Sequence, residues 1–143
     1  MNHRRNAFTL VEFVVVILIL GILAGVAAPK LLNTSKTATD NGLRQTLSIV
    51  RDAIELYAAD QGALPPCANT TTSLQDALKP YIRGTFPTSP IGTQNNQVTA
   101  TTVTPIVADG TPTTGWKYNT TTGEFICNSG SLSTDGATTY DEF

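Results

Sequence analysis

Histidine is almost missing from this sequence: the only one, His3, sits in a short polar stretch at the N-terminus. A His-based hydrolase triad, a Cys–His pair or a thiolate/imidazole zinc set has nothing to be built from. No glycine-rich phosphate loop is present, and the acidic residues of the C-terminal half are scattered rather than paired. Charge is scarce, at 14% of residues against roughly 25% in average soluble domains. The formal net charge is −2 and no Lys/Arg cluster follows Arg4-Arg5, so nucleic acid has no basic face to meet. An enzyme is not expected, and structural, membrane or protein-binding roles remain.

What the sequence has in abundance is one apolar run. Phe8 to Pro29 carries a single charge, Glu12, and is uninterrupted from Phe13 to Ala28. Roughly twenty such residues, rising about 1.5 Å each in a helix, span the hydrocarbon core of a bilayer. Arg4 and Arg5 ahead of the run hold the N-terminus in the cytoplasm by the positive-inside rule. Three exported-protein readings compete for this stretch. A cleaved signal peptide would use Val26-Ala27-Ala28 as its small-residue site. Against it, Pro29 follows that site directly and Glu12 is out of place. A twin-arginine signal fits Arg4-Arg5 and Phe8 loosely, but its apolar region is usually milder than this one. In the third reading the helix is retained. A carboxylate at membrane depth is costly and is usually paired and functional, although by itself Glu12 reads equally as an interfacial carboxylate, snorkelling toward the headgroups or protonated. Gly21 and Gly25 form a small-xxx-small step that lets helices approach closely. Pro29 removes a backbone donor, so the helix is expected to kink or melt locally there.

Beyond Pro29 the helical period continues. Leu43, Leu47, Val50, Ile54 and Tyr57 recur at spacings of four and three, an apolar stripe along one helix face. Asp40, Arg44, Arg51, Asp52 and Glu55 fall on other faces, with Arg51 and Glu55 an i,i+4 pair. Gly62 suits a left-handed C-cap. Ser73 to Tyr81 reads as a short helix stopped by Pro80. The Thr-, Pro- and Gly-rich stretch from Gly84 to Gly115 is mostly loop, with a strand possible at Val98–Val107. Trp116-Lys117-Tyr118 and Glu124-Phe125-Ile126-Cys127 alternate around a turn at Asn119–Gly123 and predict a hairpin. Trp116, Tyr118 and Phe125 are large enough to pack that hairpin onto the amphipathic helix.

Two cysteines, Cys67 and Cys127, form an even pair in a chain that leaves the cytoplasm, which reads as one disulfide. In the chain-entropy model a closed loop of about 60 residues would contribute up to roughly 4 kcal/mol. The other reading is two unpaired thiols. Asn69-Thr70-Thr71 and Asn119-Thr120-Thr121 match a glycosylation triplet, and read equally as plain turn and strand residues.

Ala7-Phe8-Thr9-Leu10-Val11-Glu12 followed by the apolar run resembles the signature of type IV prepilins and of type II secretion pseudopilins. The resemblance implies a leader at residues 1–7, removed by a prepilin peptidase between Ala7 and Phe8. It also implies N-methylation of Phe8, and Glu12 as the fifth mature residue, pairing with the N-terminal amine of a neighbouring subunit. Ala7 stands where the family usually has glycine. The order that follows is similar to the major pseudopilins: long helix, short helix, proline-bounded loop, small antiparallel sheet. Those proteins place a calcium ion in a C-terminal loop with an Asp-Gly step, for which Asp135-Gly136 is the candidate here; the tail offers few carboxylates and no EF-hand spacing, and Asp-Gly reads equally as a plain turn.

The expected fold class is α+β. It comprises a filament-core or transmembrane helix at residues 8–29, an amphipathic spine at 30–62, and a head at 63–143. The resemblance implies a structural subunit, a pseudopilin of a type II secretion system. It would be stored in the bacterial inner membrane with its head in the periplasm, and polymerised with like subunits by inner-membrane assembly machinery. A type IV pilus subunit, or an unprocessed membrane-anchored binding module, are the alternatives. Its partners would be lipid before assembly, the peptidase and other pilin-like subunits. No cofactor is expected, with calcium at Asp135 the one candidate that the resemblance raises.

Overall fold

The computed structural model describes residues 9–68 and 73–143, apart from the side chains at positions 32 and 33. Helix α1 runs Leu10–Gln61, 52 residues in all. It is shared by two compact units that divide between Lys36 and Thr37.

In the first unit every described side chain of the helix is exposed. Leu10, Phe13, Ile17, Leu20, Leu23 and Val26 are all exposed. Gly21 and Gly25 have open space where a Cβ would stand. By length and composition this part of α1 is able to cross a membrane. Pro29 does not end the helix: α1 is helical through that residue. A proline costs a helix one hydrogen bond and a steric adjustment. The helix accommodates both without breaking.

The second unit starts from the amphipathic part of α1. Leu43, Leu47, Val50, Ala53 and Ile54 are buried, the stripe that the three-and-four spacing predicts. Gly62, at φ +71°, ends the helix and donates its N–H to Ala58 O at 2.9 Å, the left-handed cap that glycine permits without a Cβ clash. Helix α2, Ser73–Leu78, places Leu74 and Leu78 in the same core.

Strands β1 (Val98–Thr101), β2 (Trp116–Asn119) and β3 (Phe125–Cys127) form one sheet in the order β1-β2-β3. The β2–β3 hairpin is antiparallel, with Tyr118 opposite Phe125 and Trp116 opposite Cys127. Its turn uses Gly123 at φ +80°. The pairing of β1 with β2 is parallel, Val98 facing Trp116 and Thr101 facing Asn119, so the sheet is mixed rather than wholly antiparallel. Parallel neighbours need a crossover of about a dozen residues or more. Here it is a polar loop tied down by side chains. Lys117 Nζ donates to Val107 O at 2.9 Å and pairs with Asp109 at 2.6 Å. Asn119 Nδ2 donates to Val103 O at 3.0 Å.

Trp116, Tyr118 and Phe125 are fully buried between sheet and helix. Their polar atoms are satisfied as burial requires. Trp116 Nε1–H donates to Pro87 O at 2.9 Å and Tyr118 O–H to Pro65 O at 3.3 Å. Burial pushes the Tyr118 phenol up to about 12, so it donates throughout the physiological range. These aromatics are core, as the sequence suggests.

Candidate functional site

The site at the start of α1 is built by Thr9 and Glu12. Thr9 lies just before the first helical residue, where backbone N–H groups lack partners. Its N–H and Oγ1–H both donate to Glu12 Oε2, at 3.1 and 3.0 Å, and the Glu12 N–H returns a bond to Thr9 Oγ1 at 3.2 Å. This is a reciprocal capping box, and the Thr-x-x-Glu spacing that encodes it is plain in the sequence. The Glu12 carboxylate is thereby held at an exposed helix start, where the helix dipole favours negative charge. Directly behind it stand only apolar, exposed side chains. Ala7 and Phe8, the expected cleavage and methylation positions, lie outside the described residues, as does the rest of the leader.

At the other end of the sequence, the C-terminal segment is clasped to α1. Asp40 is buried, on the same stripe as Leu43 and Leu47 rather than on another face. It accepts Thr134 N–H at 3.0 Å and Tyr140 O–H at 2.8 Å. One turn on, the Arg44 guanidinium stacks 3.5 Å from the centre of the Phe143 ring. Arg51 turns inward instead of toward Glu55, donating to Phe125 O at 2.9 Å and also to the Phe143 main-chain oxygen.

Asp135 is the hub of the turn that follows Ser133. Its Oδ1 accepts Ser133 Oγ–H at 2.7 Å and the N–H groups of Ala137 and Thr138, each at 2.9 Å. Its Oδ2 accepts Thr138 Oγ1–H at 2.9 Å. The backbone bonds first, then the hydroxyls, hold its carboxyl far below the ordinary carboxylate range.

The expected disulfide is not formed: Cys67 and Cys127 are both free. Cys127 faces Trp116 at the beginning of β2, and its Sγ lies 3.5 Å from Ser89 Oγ. Cys67 lines a recess with Thr101 and Thr120, at the far end of the same strands. Burial raises both thiols above their ordinary value. Asn119 is fully buried and caps the hairpin turn through Thr121 N–H and Thr122 N–H at 2.9 and 3.2 Å, so it presents no glycosylation acceptor. Asn69 lies outside the described residues.

The family model for the prokaryotic N-terminal methylation motif matches residues 2–28. The competence protein ComGC of Halalkalibacterium halodurans is 35% identical over 77 residues, 54% of this chain and 69% of that protein. The chain belongs to the type IV pilin-like superfamily. Type II secretion system core protein G of Aeromonas hydrophila is 35% identical over 77 residues, 54% of this chain and 51% of that protein. The type IV narrow pilus major component PilA5 of Thermus thermophilus is 31% identical over 64 residues, 45% of this chain and 55% of that one. The match thus spans less than two thirds of these last two relatives. No solved structure matches the chain significantly. The match to the methylation motif covers the start of α1 and most of its exposed apolar run.

Proposed function

We propose that this chain is a filament subunit of the pseudopilin type, serving a type II secretion system. The observation that carries the reading is the start of α1: a capped carboxylate, Glu12, followed by an apolar helix that its own chain leaves uncovered. In water such a surface is strongly unfavourable. Lipid covers it while the subunit is stored in the inner membrane, and neighbouring helices cover it in the polymer. The prepilin peptidase cuts between Ala7 and Phe8, removing His3, Arg4 and Arg5, and Phe8 is then methylated. Glu12 neutralises the new amine of an adjacent subunit, so pairing of the two charges sets the axial register. The subunit performs no catalysis, and its motor and peptidase are separate proteins.

A second reading, a type IV pilus subunit, is favoured by one observation: relatives with pilus and competence names match at similar identity. Mass spectrometry of the mature N-terminus tests what both readings share. A start at methylated Phe8 supports them, and an intact Met1 or a start at Pro29 rejects them. Imaging the filament, in the envelope or at the cell surface, then separates pseudopilus from pilus.

A further inference from the structure

The C-terminal Asp-Gly loop is where resemblance to the major pseudopilins implies calcium, with Asp135 as its acidic ligand. Calcium takes six to eight oxygens at about 2.3–2.6 Å. The donor set around Asp135 does not fit it. Oδ1 already receives three hydrogens, from Ser133 Oγ, Ala137 N and Thr138 N, and Oδ2 receives a fourth from Thr138 Oγ1. Each points the positive end of a dipole at the oxygen that a cation would have to touch. Calcium could enter only by breaking these bonds and turning two backbone N–H groups away.

The neighbouring carboxylates are engaged in the same manner. Asp141 Oδ2 accepts Ala108 N–H at 2.9 Å and Glu142 Oε2 accepts Thr139 N–H at 3.3 Å. Asp109 holds Lys117 at 2.6 Å and Asn128 Nδ2 at 2.9 Å. Among the described residues, no three acidic, histidine or cysteine side chains converge. Asp141 Oδ1 is buried without a partner, but one oxygen is far short of a calcium shell.

We infer that this chain closes its C-terminal loop with two carboxylates and protein donors alone, Asp135 from within the loop and Asp40 from α1, and folds without calcium. The work a cation would do is divided between them. Asp135 gathers Ser133, Ala137 and Thr138 around one centre, supported by Ser133 N–H to Thr138 O at 2.9 Å. Asp40 then fastens that turn to the helix through Thr134 and Tyr140. A fixed carboxylate surrounded by donors is already neutralised locally, so no positive ion is needed to hold the loop ends together. The inference holds equally for a pseudopilus and a pilus subunit, and its failure would leave the filament reading untouched.

The test uses the full chain purified in detergent, with thermal unfolding recorded in chelator, in millimolar calcium and in millimolar magnesium. A ligand that binds only the folded state raises Tm in proportion to its occupancy, so the three midpoints are expected to agree within about 1 °C. Asp135→Ala lowers Tm by the same amount in all three buffers. Asp135→Asn, which keeps an acceptor oxygen but drops the charge, retains most of the wild-type Tm and serves if the alanine variant does not fold. A calcium-specific rise in the wild type overturns the inference. Its loss in Asp135→Asn would identify Asp135 as the ligand, and its loss in Asp141→Asn would move the cation to Asp141.

Discussion

The Tyr140 hydroxyl donates to Asp40 Oδ1 at 2.8 Å across 100 residues of sequence. Thr134 N–H occupies the other oxygen at 3.0 Å, so one helical side chain fixes the C-terminal segment at two points. Asp40 is only 8% exposed. Burial by itself would raise its pKa. The bonds from Thr134 and Tyr140, with the positive charge of Arg44, outweigh that and leave it lowered. The residue is a buried anion held by donors rather than by an ion-pair partner.

Removing the anion should loosen the whole segment. Asp40→Ala strands a backbone N–H and a buried phenol, and a loss of about 2–3 kcal/mol is expected. Tyr140→Phe deletes one bond and leaves Asp40 Oδ1 without its donor while Thr134 still holds Oδ2, for about 1–2 kcal/mol. Urea unfolding of the detergent-solubilised chain measures both. If the two losses simply add in the double variant, the residues act independently and the clasp is wrongly drawn.

The same pair sets a pH window. The folded pKa of Asp40 lies below its ordinary 3.8. Its contribution is therefore complete above about pH 4 and is lost as pH falls through the folded value. Tyr140 is raised above its ordinary 10.0, by burial first and then by the bond to Asp40 and its negative charge. That contribution is complete below about pH 10 and fades as pH rises through the raised value. Tm should be level between these limits and fall outside both. In Asp40→Asn the acid limb should flatten, and an unchanged acid limb would assign it to other carboxylates.

Periodicity made the spine legible. Leu43, Leu47, Val50 and Ile54 are buried as their spacing requires, and the aromatic alternation at Trp116–Cys127 gave a hairpin in the expected place. Long-range polar partners were not legible. Asp40 reads as a surface residue because a carboxylate carries no apolar signal, and its partners lie 94 and 100 residues away. The parallel pairing of β1 was equally hidden, since a loop crossover has no period to read. Arg51 missed its i,i+4 partner because two main-chain oxygens near the core offer better acceptors than a solvated Glu55. The Thr9–Glu12 box is different: the Thr-x-x-Glu spacing encodes it locally, with no long-range partner to find.

The cysteines give a prediction that separates geometry from composition. Cys67 is partly exposed and Cys127 buried. A thiol reagent applied to the native chain should label Cys67 slowly, since burial raises its pKa, and leave Cys127 untouched until denaturant is added. Gel mobility should be the same with and without reductant. A faster non-reduced band, with no thiol free after denaturation, would restore the bridge between them.

The last prediction concerns the division of labour between Thr9 and Glu12. In the proposed filament Glu12 would offer its carboxylate to the amine of a neighbour, whereas Thr9 fixes where that carboxylate stands. Glu12→Leu removes the charge and makes the helix more apolar. The variant should therefore insert in the membrane at wild-type level and yield no filament. Thr9→Val keeps the shape but loses the hydroxyl, and with it two of the three capping bonds. Loss of a helix cap costs about 1 kcal/mol, a factor of roughly five in the population of correctly placed carboxylate. Filament yield should drop by about that factor without vanishing. Carbonate extraction measures insertion, and shearing followed by quantification measures assembly. If Thr9→Val abolishes filaments as completely as Glu12→Leu, Thr9 touches the neighbouring subunit itself and is more than a holder.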